Sequence, residues 1–130
     1  LRSDFELSAA IPTDYTDFVG QHHAHLSAAG TLLMLDNMGD PSTSRAVEIT
    51  LDESAMEAEL VAAWSMDGRC TVQGGAFELG SGNILATCAP EKRFREFNRG
   101  GDMVWEMVVS CPGAIPTFGA SVVRAAPFPL

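Results

Sequence analysis

Short runs of apolar and β-branched residues, separated by glycine-bearing turns, recur along the chain in two sets of four. The first set predicts strands over 21–26, 31–36, 46–51 and 59–65, and the second over 75–79, 83–87, 94–98 and 103–108. Val104-Trp105-Glu106-Met107-Val108 has the two-residue alternation of a strand, and Leu32-Leu33-Met34-Leu35 is apolar throughout. Ala29-Gly30 and Ser81-Gly82-Asn83 are tight-turn sequences in which glycine supplies a positive φ. Asn98-Arg99-Gly100-Gly101-Asp102 reads as a longer hairpin loop. One segment competes: residues 52–63 are rich in helix formers behind an aspartate cap, and propensity alone makes them helical. The second half of that segment falls on a predicted strand, which leaves one short helical turn expected near 53–56.

The two sets align on their glycine turns. Ala28-Ala29-Gly30-Thr31-Leu32-Leu33 lies over Gly80-Ser81-Gly82-Asn83-Ile84-Leu85 at an offset of 52; Glu48 then falls on Glu96 at 48, and Trp64 on Trp105 at 41. Repeats of roughly 40–50 residues with four strands each point to antiparallel blades of a β-propeller. The all-β expectation for 1–130 is therefore a partial propeller domain, with blades at 21–65 and 75–108 and a strand of a further or closing blade in 118–130. Such a piece exposes strand edges and an apolar face. Its expected partners are the remaining blades or a second subunit, and Leu1 falling in mid-pattern favours part of a longer propeller.

Charge narrows the function classes. With 8 Lys+Arg against 17 Asp+Glu the formal net charge is −9, which argues against nucleic-acid backbones and anionic membrane surfaces. No apolar run approaches the roughly 18 residues needed for a bilayer span, and no targeting segment is visible. Cys70, Cys88 and Cys111 lack CxxC spacing, which disfavours a zinc ribbon. One disulfide with a free thiol and three reduced thiols both remain open.

Gln21-His22-His23-Ala24, Gly30-Thr31-Leu32, Asp36-Asn37 and Ser44-Arg45-Ala46-Val47-Glu48 together resemble the arylsulfotransferase family. Gly75-Ala76, Gly82-Asn83-Ile84-Leu85, Val104-Trp105-Glu106 and Val123-Arg124-Ala125 fit the later part of the same family. The resemblance implies a propeller of about six blades, within the range the architecture allows. It also implies sulfuryl transfer from a phenolic sulfate to a phenol without a nucleotide donor or other cofactor, in a periplasmic or extracellular setting. In that family a sulfated histidine carries the group, while further histidines and an arginine hold its oxygens. His22 falls on a supporting histidine, and Arg45 is the nearest counterpart of the arginine. The family's nucleophilic histidine lies in a later blade, and no histidine follows His25 in this chain. The other reading is a propeller that binds a small ligand or a protein without catalysis.

The residues themselves allow that chemistry. Sulfuryl transfer spreads negative charge over three oxygens, which histidine and arginine donors stabilise in a dry pocket. His22 is thus the candidate catalytic and substrate-binding residue, set against a core histidine bonded to nearby backbone. Arg45 is the second substrate-binding candidate, or else forks onto Glu48. His23 and His25, two apart on one strand face, have a metal-ligand spacing that needs Asp36, Asp40 or Glu48 to complete it. Polar strand residues are the plainer account of that pair. Asp36-Asn37 reads as a strand-ending turn, and Trp64 and Trp105 as packing between blades.

Overall fold

A computed structural model describes residues 5–11, 13–14, 17–37 and 42–110. The strand expected in 118–130, Asp40 and Cys111 lie outside them. The described residues form nine strands and no helix: β1 (Glu6–Ala9), β2 (His22–Leu26), β3 (Leu32–Asp36), β4 (Arg45–Asp52), β5 (Glu57–Ser65), β6 (Gly75–Glu78), β7 (Ile84–Cys88), β8 (Arg93–Phe97) and β9 (Met103–Val108). They build two sheets, ordered β1-β5-β4-β3-β2 and β6-β7-β8-β9. All eight strands expected from the pattern are present, within a few residues at each end. Two details differ. Residues 53–56 make a hairpin turn rather than a helical one, because Asp52 Oδ1 accepts the amides of Ser54 and Ala55 and Met56 turns at φ 58°. The first sheet also gains β1, which pairs in parallel with β5 from Glu6↔Glu57 to Ala9↔Leu60. A four-residue strand with one apolar side gave too short a pattern to read.

The sheets stack face to face without closing a ring among the described residues. Leu33, Leu35, Ala46 and Trp64 of the first sheet meet Ala76, Ile84, Ala86 and Phe97 of the second in one buried cluster. On the opposite face of the first sheet, Met34, Val47, Ile49 and Leu60 pack under Phe5, Leu7, Ile11 and Phe18. Both faces of β3 and β4 are therefore covered, which is why Leu32–Leu35 is apolar without alternation.

The strand ladders define the repeat more sharply than the sequence does. Leu33, Glu48 and Ala62 share one rung of the first sheet, and Leu85, Glu96 and Trp105 share the matching rung of the second. Each sheet breaks register immediately after that rung, between Glu48 and Ile49 and between Glu96 and Phe97. A bulge inserts one unpaired residue in the partner strand, Val61 in β5 and Val104 in β9. Glu48 and Glu96 are equivalent, as expected. Trp64 and Trp105 are not: Trp64 matches Met107, and Trp105 matches Ala62, two residues away on the same face. Counting from loop lengths missed the rung because the two tryptophans share only a face.

The two faces in contact are not the same face. The first sheet uses the side bearing Glu48, and the second uses the side opposite Glu96. The stack is head-to-tail, an arrangement that a further sheet could continue.

Cys70 and Cys88 form a disulfide with their Cα atoms 5.5 Å apart, tying the 66–74 connection to the end of β7. This resolves the alternative left open by the sequence for these two cysteines.

Candidate functional site

His22 opens β2 beside a buried polar cluster at the end of β3. Its Nδ1 lies 2.8 Å from the Gly20 carbonyl and 2.9 Å from Asn37 Oδ1. Both are acceptors, so Nδ1 carries the proton and donates. Nε2 accepts the Gln73 amide at 3.2 Å. Both ring nitrogens are thereby engaged by the protein's own groups.

Asn37, fully buried, is the hub of this arrangement. Its Nδ2 donates to the carbonyls of Cys70 at 2.6 Å and Gln73 at 2.9 Å while its Oδ1 accepts from His22. Ser44 Oγ donates to the Asn37 carbonyl at 2.7 Å and accepts the Cys70 amide at 2.7 Å. The connection between the sheets is thus pinned from one side by these bonds and from the other by the disulfide. Gly74 lets it pass: at φ +100° an added Cβ would sit 2.3 Å from the Thr87 carbonyl oxygen and 2.6 Å from Leu35 Cδ2.

Arg45 is buried and separately satisfied. Its Nε donates to Asp36 Oδ2 at 3.0 Å, Nη1 to Thr13 Oγ1 at 3.4 Å and Nη2 to the Asp17 carbonyl at 3.3 Å. Its carboxylate partner is Asp36, the residue directly across the ladder, and not Glu48. Glu48 takes Arg99 instead, from the hairpin between β8 and β9. Arg99 also donates to Glu78 Oε1 at 2.5 Å and to the Gly82 carbonyl at 2.8 Å. Its guanidinium stands 5.8 Å over the Trp64 ring, whose Nε1 donates to the Asn98 carbonyl at 2.9 Å. Burial opposes the charge on Arg99, yet the Glu78 and Glu48 carboxylates hold its pKa above the ordinary value. The sequence showed a hairpin loop at 98–102 and no sign that its arginine crosses between sheets.

His23 and His25 do share a face. Their ring centroids are 5.0 Å apart, edge to face, and Phe77 of β6 lies 4.6 Å from His23 and 5.9 Å from His25. His23 reaches this position at φ 55°, where the β2–β3 register shifts. Among the described residues, no group of three or more His, Cys, Asp or Glu side chains is placed to hold a metal ion. Asp36 and Glu48, offered as completing ligands, face Arg45 and Arg99.

Next to the ring cluster a groove of about 670 Å³ runs between the β2–β3 and β6–β7 turns, lined by His25, Leu26, Ser27, Phe77, Leu79 and Gly80 among others. The sequence pointed to His25 but not to Phe77, which its pattern marked only as a strand residue. No protein-family model, curated protein or solved structure matches the chain.

Proposed function

We propose that this chain is a non-catalytic binding module built from two propeller-type sheets, taking a small aromatic molecule such as a phenol in the groove beside Phe77 and His25. The observation that carries this reading is the engagement of both His22 ring nitrogens by the protein's own groups, with Arg45 buried against Asp36. A sulfuryl-accepting imidazole needs a free nitrogen lone pair, and His22 Nε2 is occupied by the Gln73 amide. Arg45 points its guanidinium at Asp36, Thr13 and the Asp17 carbonyl, inside the protein and away from the groove.

The groove supplies what such a ligand uses: an aromatic wall, a polar imidazole and a volume within the range of about 300–1,000 Å³ typical of small-molecule sites. The head-to-tail stack and the repeated bulge support the propeller-type description of the sheets. The Cys70–Cys88 disulfide fits an oxidising compartment, periplasmic or extracellular.

A chromogenic aryl sulfate with phenol as acceptor tests the catalytic part, and phenol titrated against the Phe77 and His25 resonances tests the binding part. No turnover, with saturable shifts at Phe77 and His25, is the expected result. Turnover abolished by His22→Ala would overturn it in favour of an aryl-sulfate sulfotransferase.

A further inference from the structure

The groove beside Phe77 is lined by three polar side chains, Ser27, Glu78 and His25, and the first two are committed elsewhere. Thr31 Oγ1 gives its proton to Glu48 Oε1 at 2.6 Å, so in the 2.7 Å bond between the two hydroxyls Ser27 Oγ donates to Thr31 Oγ1. Ser27 Oγ also accepts the amides of Ala29 and Thr31, each at 3.2 Å, which leaves it neither a proton nor a lone pair. Glu78 is a carboxylate, an acceptor only, and takes Arg99 on Oε1. His25 is different. Its Nδ1 lies 3.1 Å from the His23 carbonyl, an acceptor, so Nδ1 holds the proton and Nε2 the lone pair. No described residue donates to that Nε2. The amides of Ser27, Leu79 and Gly82 bond carbonyls within their own turns. The side chains of the groove therefore offer acceptors and no donor.

We propose, resting on the binding role of this groove, that it selects uncharged aromatic molecules carrying an O–H or N–H donor, and that His25 Nε2 is the acceptor that selects them. The Phe77 and His25 rings stand 5.9 Å apart with their planes at 34°, a corner that receives the ring of the ligand. A donor on the rim of that ring meets the Nε2 lone pair. An aromatic of the same size without a donor strips water from Nε2 and returns no bond, which is the costly way to cover an acceptor. An aryl sulfate or carboxylate fares worse, because it brings lone pairs to lone pairs in a chain of formal net charge −9. Arg99 does not offset this. It donates to the Gly82 carbonyl at the groove but is held between Glu48 and Glu78, two carboxylates to one guanidinium.

The experiment titrates phenol, toluene and phenyl sulfate separately into the full chain at about pH 8, where phenol is neutral. Nuclear magnetic resonance follows the Phe77 ring and, by long-range proton–nitrogen correlation, His25 Nε2. Toluene should bind about fivefold or more weaker than phenol, the loss expected for an acceptor covered without a partner. Only phenol should shift the Nε2 resonance, and phenyl sulfate should give no saturable shift. In His25→Phe, with the amide spectrum elsewhere unchanged, phenol and toluene should bind alike. Equal affinities for phenol and toluene in the parent, both with saturable shifts at Phe77, overturn the selection and leave the groove as a plain aromatic site. A phenol preference that persists in His25→Phe, or an Nε2 resonance that bound phenol leaves unmoved, overturns the role of His25. Phenyl sulfate binding as tightly as phenol overturns the restriction to uncharged ligands. No shift at Phe77 with any of the three removes the groove as a binding site, and the selection with it.

Discussion

Replacing Asn37 with alanine tests whether the histidine region is a structural junction. Asn37 joins β3, the 17–22 segment and the connection between the sheets through three side-chain hydrogen bonds. Alanine removes all three, but their losses are unequal. His22 Nδ1 keeps the Gly20 carbonyl at 2.8 Å, so that bond is largely compensated. The Cys70 carbonyl keeps a longer contact from Ser44 Oγ at 3.3 Å, and the Gln73 carbonyl loses its side-chain donor. A buried acceptor left without its partner costs about 1–3 kcal/mol. The buried Cys70 carbonyl loses its shorter bond, whereas the Gln73 carbonyl, on an exposed residue, takes water instead; with a small cavity the destabilisation comes to about 1–3 kcal/mol. Urea unfolding followed by circular dichroism, with the m-value compared to the parent, reads this directly. The same variant should move the Gln73 amide resonance, because His22 loses the group that orients its ring. A loss below about 0.5 kcal/mol, the ordinary range of surface substitutions, would refute the assignment of Asn37 as the hub.

Removing the Cys70–Cys88 bridge in a Cys70→Ser, Cys88→Ser chain should cost about 3 kcal/mol, the loop-entropy value for a closure of this length (18 residues apart), measured by thermal unfolding against the oxidised parent. Glu106 accepts from Arg95 at 2.7 Å, and that bond first, then the Arg95 and Arg93 charges, holds its pKa below the ordinary glutamate value. A depressed carboxylate contributes stability that is present above its unfolded pKa and lost as pH falls through the lower folded one. Glu106→Gln should accordingly flatten the acid side of the stability profile below about pH 4.5 while leaving its alkaline side unchanged.

The strands and their grouping were legible because they rest on local rules: two-residue alternation, glycine turns and a repeated spacing. Gly30 and Gly82 do turn at φ +83° and +82°, as the hairpin sequences require. What could not be read were the partners of the polar residues. Arg45 and Arg99 are chemically alike in the sequence, yet one is fixed to Asp36 by the ladder and the other crosses to Glu48 by packing of the two sheets. The first pairing is implied once the register is known, whereas the second depends on which face of the next sheet arrives. His22 stands out in the sequence as the candidate catalytic and substrate-binding residue, but its neighbours do not. Its partners are Asn37, just after β3, and the Gln73 amide, in the connection between the sheets, whose path is set by Gly74 and the disulfide; local pattern reveals neither.

Glu48 and Glu96 each sit on the rung just before a bulge, and each receives one hydrogen bond from the residue following a glycine turn, Thr31 or Asn83. A bulge bends the strand and increases its twist, so in each sheet the carboxylate lies where the twist increases. Exposed ion pairs contribute at most about 1 kcal/mol, but a carboxylate already fixed by a neighbour and partly buried pays less entropy to accept a guanidinium. Glu48, with its side chain 10% exposed, is of that kind. The apolar faces supply the bulk of the adhesion between sheets and are indifferent to small slips. The glutamate–arginine contact is not indifferent, because a slip would leave the buried Glu48 carboxylate without its cation. The Glu48–Arg99 contact therefore constrains the register in which the two sheets meet, while the apolar residues around it supply most of the adhesion.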